Sequence, residues 1–312
     1  MLRISRNTLV TIICGILSGG LFSAVAANAG SGILVLFLPV LPLASVGLSL
    51  SARHCFFAAL AACITIAFLS DVGYILFFVL FIVFPLLHFV RKLLLWRDGE
   101  AEREWYPVLA AIAEITLMSA GIFMTLALTL VHSEHMQLKT VVAEALSAQL
   151  NNDQLDNADP NIGHFLKLLA DQWSFLVFAA ASWVWVLLFY AFVVMANTLL
   201  TVRKIALRPS LALAPEGLPV WLPAILMICA VLAFLGQGND RFAGETVFLI
   251  MLLPYFLSGV ASVHKVSLAW SGRKLWLVLF YLLLTLFPLS PWLFALLVAK
   301  GVYTQMEKIW TA

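Results

Sequence analysis

Apolar residues fill this chain in blocks of about twenty, each separated from the next by a short polar stretch. A helix of that length matches the hydrocarbon thickness of a bilayer, about 30 Å. The blocks are continuous rather than alternating, so they read as helices and not as barrel strands. Segments near 8–27, 32–50, 54–70, 72–91, 106–132, 173–200, 219–238, 243–264 and 274–308 meet the criterion. The expected fold class is all-α, a polytopic transmembrane bundle of 9–10 membrane segments. The uncertain count comes from 274–308, which Pro288 and Pro291 divide into one kinked helix or a hairpin of two short helices. Composition agrees with this reading. The chain is 63% hydrophobic and 11% charged, too few charges to clothe a soluble surface, where about a quarter of residues are charged.

The charges set an expected orientation. With the N-terminus inside, thirteen Lys and Arg fall in cytoplasmic stretches and three (Lys139, Lys167, Arg241) outside. Basic residues collect on the cytoplasmic side, so a bacterial inner (cytoplasmic) membrane protein with a cytoplasmic N-terminus is expected. Lys300 and Lys308 suit a cytoplasmic end for the last segment as well. The first block carries Arg3 and Arg6 before it and Val25-Ala26-Ala27 at its exit. It reads as a retained span or as a cleavable signal segment. Gly15, Gly19 and Ala24 lie along one small-residue face, which lets another helix approach closely.

The chain divides into an N-terminal bundle at 1–132, an acidic outer loop at 133–172 and a C-terminal bundle at 173–312. Within the loop, Val141, Val142, Ala145, Leu146 and Leu150 fall at helical spacing, which predicts an amphipathic outer helix.

Few residues point to chemistry. Glu114 lies inside a span, where a carboxylate is costly and usually functional. It is a candidate for a proton- or cation-linked group or a ligand contact, against a structural hydrogen bond between helices. Glu245 sits at the outer start of its span, where a carboxylate complements the helix dipole. Asn197 and Gln172 read as interhelical hydrogen-bond groups. His88 and His264 sit near cytoplasmic ends and read as interfacial. Pro39 and Pro42 interrupt the second span, and broken helices are pointers to transporter sites. The binding candidates are therefore Glu114, Pro39, Pro42, Glu245 and Asn197.

Several classes are set aside. The chain has no G-x-x-x-x-G-K-[ST], no H-E-x-x-H and no G-x-S-x-G. No enzyme motif, cofactor or metal site is expected. The four cysteines form no CxxC pair. A net charge of +2 without a basic aromatic stripe gives no nucleic-acid signal. The expected partners are the lipid bilayer, other membrane subunits and an unidentified small-molecule ligand.

The stretches Leu38-Pro39-Val40-Leu41-Pro42-Leu43, Val46-Gly47-Leu48, Arg208-Pro209, Leu218-Pro219-Val220-Trp221-Leu222-Pro223 and Gly301-Val302-Tyr303 carry a resemblance. Together they resemble the YybS-like family of bacterial multi-pass membrane proteins. Its first spans are similar to substrate-capture subunits of energy-coupling-factor transporters. The resemblance implies a transport-type membrane fold paired with other membrane subunits, and docking of a coupling subunit on the Gly15, Gly19, Ala24 face. The many spans, the Pro-broken helices, Glu114 and the absent nucleotide motif lead to the expectation of a transport component that holds a small ligand between helices without an ATPase of its own. The rival reading is a membrane scaffold or assembly factor, with an intramembrane enzyme behind both.

Overall fold

A computed structural model describes residues 5–27, 34–99, 103–134, 160–286 and 291–311. For 128–134, 160–175, 285, 286, 291 and 311 only the backbone course is described. Residues 135–159 of the acidic stretch, with the predicted outer helix at 141–150, lie outside the described residues, as does the Gln172 side chain, while 160–172, expected as loop, is helical.

The described chain is almost wholly helical, and it is a polytopic helical membrane protein. Six helices are long and apolar enough to cross a bilayer, and two shorter apolar ones accompany them. Their outward faces are greasy. Phe68, Leu69, Leu76, Phe234 and Leu235 are all exposed, which suits lipid and not water. The elements are α1 (Arg6–Ala26), α2 (Val40–Ser49), α3 (Ala52–Leu69), α4 (Gly73–Leu93) and a small hairpin of β1 (Trp96–Asp98) and β2 (Arg103–Trp105). Then come α5 (Val108–Glu134), α6 (Pro160–Val202), α7 (Leu222–Leu235), α8 (Gly238–Met251), α9 (Leu253–Val266), α10 (Arg273–Leu286) and α11 (Pro291–Thr311).

Local chemistry sets the helix starts. Ser5 and Ser51 accept hydrogen bonds from the amides of Thr8 and His54, capping α1 and α3. Prolines stand at the first turns of α2, α7 and α9, where no amide donor is needed. In the second segment a 3-10 turn at Val35–Phe37 precedes Pro39 and Pro42, so the interruption expected at Pro39 is present. Leu38 and Pro39 form a turn, α2 begins at Val40, and Pro42 lies in its first turn. Pro85 falls inside the span Gly73–Leu93. It removes one amide donor, and the turn before it, Val79–Val83, widens to a π-helix. The α6 C-terminus closes with Ile205 N–H on Leu200 O and Lys204 at φ 56°, a left-handed residue that is not glycine.

The chain forms two compact units, interleaved along the sequence rather than cut at the acidic stretch. Unit 1 is residues 1–115 with 185–217, and unit 2 is 116–184 with 218–312.

In unit 1, α1 and α3 run parallel in close contact. A Cβ on Gly15 would strike the Ala58 carbonyl, and one on Gly19 would lie 2.5 Å from the Ala62 carbonyl. The small-residue face of α1 is therefore filled by α3 of the same chain, which corrects its assignment as a free docking face. Ala24 lies further along α1 and is exposed. α2 packs under the pair, where Ser18 donates to the Pro39 carbonyl at 2.9 Å. Phe89 of α4 meets Phe189 of α6 edge to face at 5.9 Å. Arg208 pins the end of α4, donating to the carbonyls of Leu93 and Tyr106.

In unit 2, α7 and α8 form a tight antiparallel hairpin, with Gly244 against the backbone of Leu232 and Ala233. Two serines, Ser119 and Ser182, share a buried hydrogen bond at 2.6 Å. Trp183 packs between Phe256 and Phe294 and donates to the Leu249 carbonyl. The final apolar stretch is two helices, α10 and α11. α11 lies on α9 through Gly259 against Leu297 and Gly301 against Tyr255. This pairing is antiparallel, so α11 carries Lys308 away from the end of α9 that bears Lys265. The sequence reading put Lys265, one of the thirteen cytoplasmic basic residues, on the same side as Lys308, and this pairing separates them.

Candidate functional site

Glu114 lies in the second turn of α5, and three segments of unit 1 converge on it. Tyr106, just before α5, donates its hydroxyl to Oε1 at 2.7 Å. Lys92 of α4 donates to the same oxygen at 2.9 Å. His88, one turn earlier on α4, donates through Nε2 to Oε2 at 2.5 Å. His88 and Lys92 share a face because they are four residues apart on one helix. The Lys92 ammonium also stands over the Tyr106 ring at 5.0 Å. The Glu114 side chain is 15% exposed, so its charge is neutralised by Lys92 rather than by bulk water. Outside the span, Tyr106 is pushed above the ordinary phenol range, first by burial and then by the adjoining Glu114 carboxylate.

This arrangement engages both oxygens of the carboxylate with protein donors. It latches the end of α4 to the start of α5 and to the β-hairpin segment between them. His88, Lys92 and Tyr106 were not marked from the sequence as partners of Glu114. The signals were the four-residue spacing of His88 and Lys92 and the basic end of α4.

The other expected residues do not join this cluster. Pro39 and Pro42 are buried at the start of α2, with the Pro39 carbonyl taken by Ser18. Glu245 is eight residues into α8 and pairs with Arg241 at 2.8 Å, one turn away. The helix-dipole role assigned to it falls to Asp240, which occupies the first turn. Asn197 of α6 is 4% exposed, and its Oδ1 has no hydrogen-bond partner among the described residues. It faces a cleft with Tyr190, Thr201 and Ser210 instead of bonding a neighbouring helix.

A second feature of unit 1 lies at the other end of α4. A cavity of about 700 Å³ opens between the end of α1, the turn before α2 and the start of α4. Its walls include Phe22, Tyr74 and Phe77, with Asp71 as the charged group among the described residues. Phe22 and Phe77 stack at 6.3 Å, and Phe77 stacks on Phe81 at 4.3 Å. Asp71 spends one oxygen on the Gly73 amide, at 2.8 Å, which starts α4. Aromatic faces and one carboxylate around a cavity are the chemistry that holds an organic cation. Nothing singled out these residues in the sequence, because Phe and Tyr at the head of a span are commonplace.

Among the described residues no group of three His, Cys, Asp or Glu is placed to hold a metal ion. No family model, curated protein or solved structure matches the chain.

Proposed function

We propose that this chain is a ligand-capturing membrane component of transport type, without an ATPase of its own, and that it takes a small organic cation at the α1–α4 cavity. One observation carries the reading, the cavity walled by Phe22, Tyr74 and Phe77 beside Asp71. Its volume is in the range of small-molecule sites. The partial negative charge of the aromatic faces attracts a cation, and the carboxylate adds direct charge pairing. The excess of basic residues at the opposite ends of these helices supports a bacterial cytoplasmic membrane with the N-terminus inside. In that orientation the cavity opens on the outer side, where a capture subunit meets its substrate. The resemblance to capture subunits of energy-coupling-factor transporters points the same way as a fold-level analogy. Since α3 occupies the Gly15–Gly19 face, a coupling subunit in this scheme docks elsewhere.

The test is calorimetric titration of the purified chain in lipid nanodiscs with tetramethylammonium, choline and a primary amine, each beside a neutral isostere. The cations bind and the isosteres do not. Asp71→Asn keeps the acceptor for Gly73 and removes the charge, weakening cation binding about tenfold. If no cation binds, or if Asp71→Asn binds as well as the parent, the proposal is wrong.

A further inference from the structure

Arg208 follows α6 in unit 1 and is 6% exposed. Nε donates to the Ser210 carbonyl at 3.0 Å, and Nη1 donates to the carbonyls of Leu93 at 2.9 Å and Tyr106 at 3.0 Å. The guanidinium also lies over the Trp105 ring, 5.6 Å from its centre. Every one of these partners is neutral. Among the described residues no carboxylate pairs with Arg208. A guanidinium has five N–H groups, and these bonds leave the pair on Nη2 without an acceptor among the described residues. Burial pulls the group down to about 10, so it stays cationic at neutral pH.

A buried charge held only by dipoles is an unfinished site, because desolvation is repaid fully only by an opposite charge. Arg208 also borders a cleft of about 940 Å³ between the β-hairpin and residues 212–217. Trp96, Trp105 and Tyr106 form its aromatic side. Two carboxylates stand on its walls. Glu104 is held by Arg97 at 2.6 Å, and Glu216 lies on the far segment. Neither forms an ion pair with Arg208 among the described residues. Further cations, Arg91, Arg203 and Lys204, are exposed at this end of the unit and add a positive field.

We propose that the Arg208 cleft binds a phosphoryl group, with the Nη2 edge of the guanidinium as its anchor. This site is separate from the α1–α4 cavity and stands whether or not that cavity takes a cation. The free Nη2 group can donate a charge-assisted hydrogen bond to a phosphoryl oxygen. Trp96 and Trp105 are the aromatic residues favoured at the head-group level of a bilayer. The phosphoryl group therefore comes from a lipid head group or from a soluble phosphate ester, and the experiment separates the two.

The full chain is placed in phosphatidylcholine nanodiscs and titrated with inorganic phosphate and with glycerol 3-phosphate. Tryptophan fluorescence and thermal unfolding are read at fixed ionic strength against chloride. In a second arm, discs containing phosphatidylglycerol are compared with pure phosphatidylcholine. A response to the soluble probes supports the site with a soluble ester as its source. A response only to phosphatidylglycerol supports it with a lipid head group. Arg208→Lys weakens the response about tenfold. Ala214→Glu places a negative charge on an exposed wall of the cleft without touching Arg208. It weakens the response in the same direction, and it decides alone if Arg208→Lys fails to fold. Silence in both arms overturns the proposal, and so does a response that a folded Ala214→Glu leaves unchanged.

Discussion

The parallel contact between α1 and α3 can be tested by replacing two adjacent glycines with alanine, one at a time. A Cβ on Gly19 would lie 2.5 Å from the Ala62 carbonyl oxygen and 2.8 Å from Thr65 Cβ. Both lie well inside van der Waals contact, and the first is backbone, so the helices must move apart. Overpacking of this kind costs about 1–3 kcal/mol. Around Gly20 a new Cβ meets nothing within 4 Å. There the substitution keeps only the gain in helix propensity, up to about 1 kcal/mol. The same gain offsets part of the cost at Gly19. The expected outcomes are a net loss of about 1–2 kcal/mol for Gly19→Ala and a small gain for Gly20→Ala, a gap of about 2 kcal/mol between neighbours. The assay is reversible unfolding of the purified chain in mixed micelles by increasing mole fraction of a denaturing detergent. Purification matters to the logic. If the small-residue face served a separate subunit and not α3, the isolated chain would not register the added methyl group. Equal effects at the two positions, or a stabilising Gly19→Ala, would refute the contact.

Three other outcomes are expected. Glu114→Gln leaves Lys92 without its counter-charge and costs about 1–2 kcal/mol, a figure lowered because the Lys92 and His88 side chains are 28% exposed and partly reach water. A double-mutant cycle with Lys92→Met should return a coupling of about 1 kcal/mol, and zero coupling would break the latch. Tyr106 is held above the usual phenol range, so the fold favours its neutral form. Stability from this group is intact below the unfolded-state value of about 10 and falls as pH rises from there toward the folded value. Tyr106→Phe should reduce the alkaline slope in unfolding measured between about pH 9 and 11, and an unchanged slope would contradict the assignment. Lys204→Gly relieves a left-handed backbone position at φ 56° and should stabilise by about 0.5–1 kcal/mol in the same detergent titration, whereas a loss would mean the lysine side chain contributes more than the strain costs.

How much of the site was legible varies by residue. Glu114 stands out in any reading, because a carboxylate inside an apolar span has few innocent explanations. Its partners do not, since His88 and Lys92 look like an ordinary basic helix end until α4 and α5 are side by side. Pro39 marked an interruption of its segment, but the exact start of α2 falls inside an unbroken apolar block, where hydropathy cannot mark a boundary. Glu245 misled for a related reason. α8 begins at Gly238, earlier than the apolar block, and so moves the carboxylate out of the first turn. The cavity beside Asp71 could not be read at all, because its walls come from helices separated in sequence.

The sequence by itself determined the solvent and the class of fold. Backbone groups in lipid must bond within their own segment, so apolar blocks of this length read as helices. Tertiary structure decided which faces meet. α3 fills the Gly15–Gly19 face, Glu114 is latched by His88, Lys92 and Tyr106, and Arg208 is buried against neutral carbonyls. Apolar surfaces are nearly interchangeable to lipid and to one another. The pairing of helices therefore rests on a few glycines, a few polar groups and steric fit, and a linear pattern of hydrophobicity does not encode those contacts.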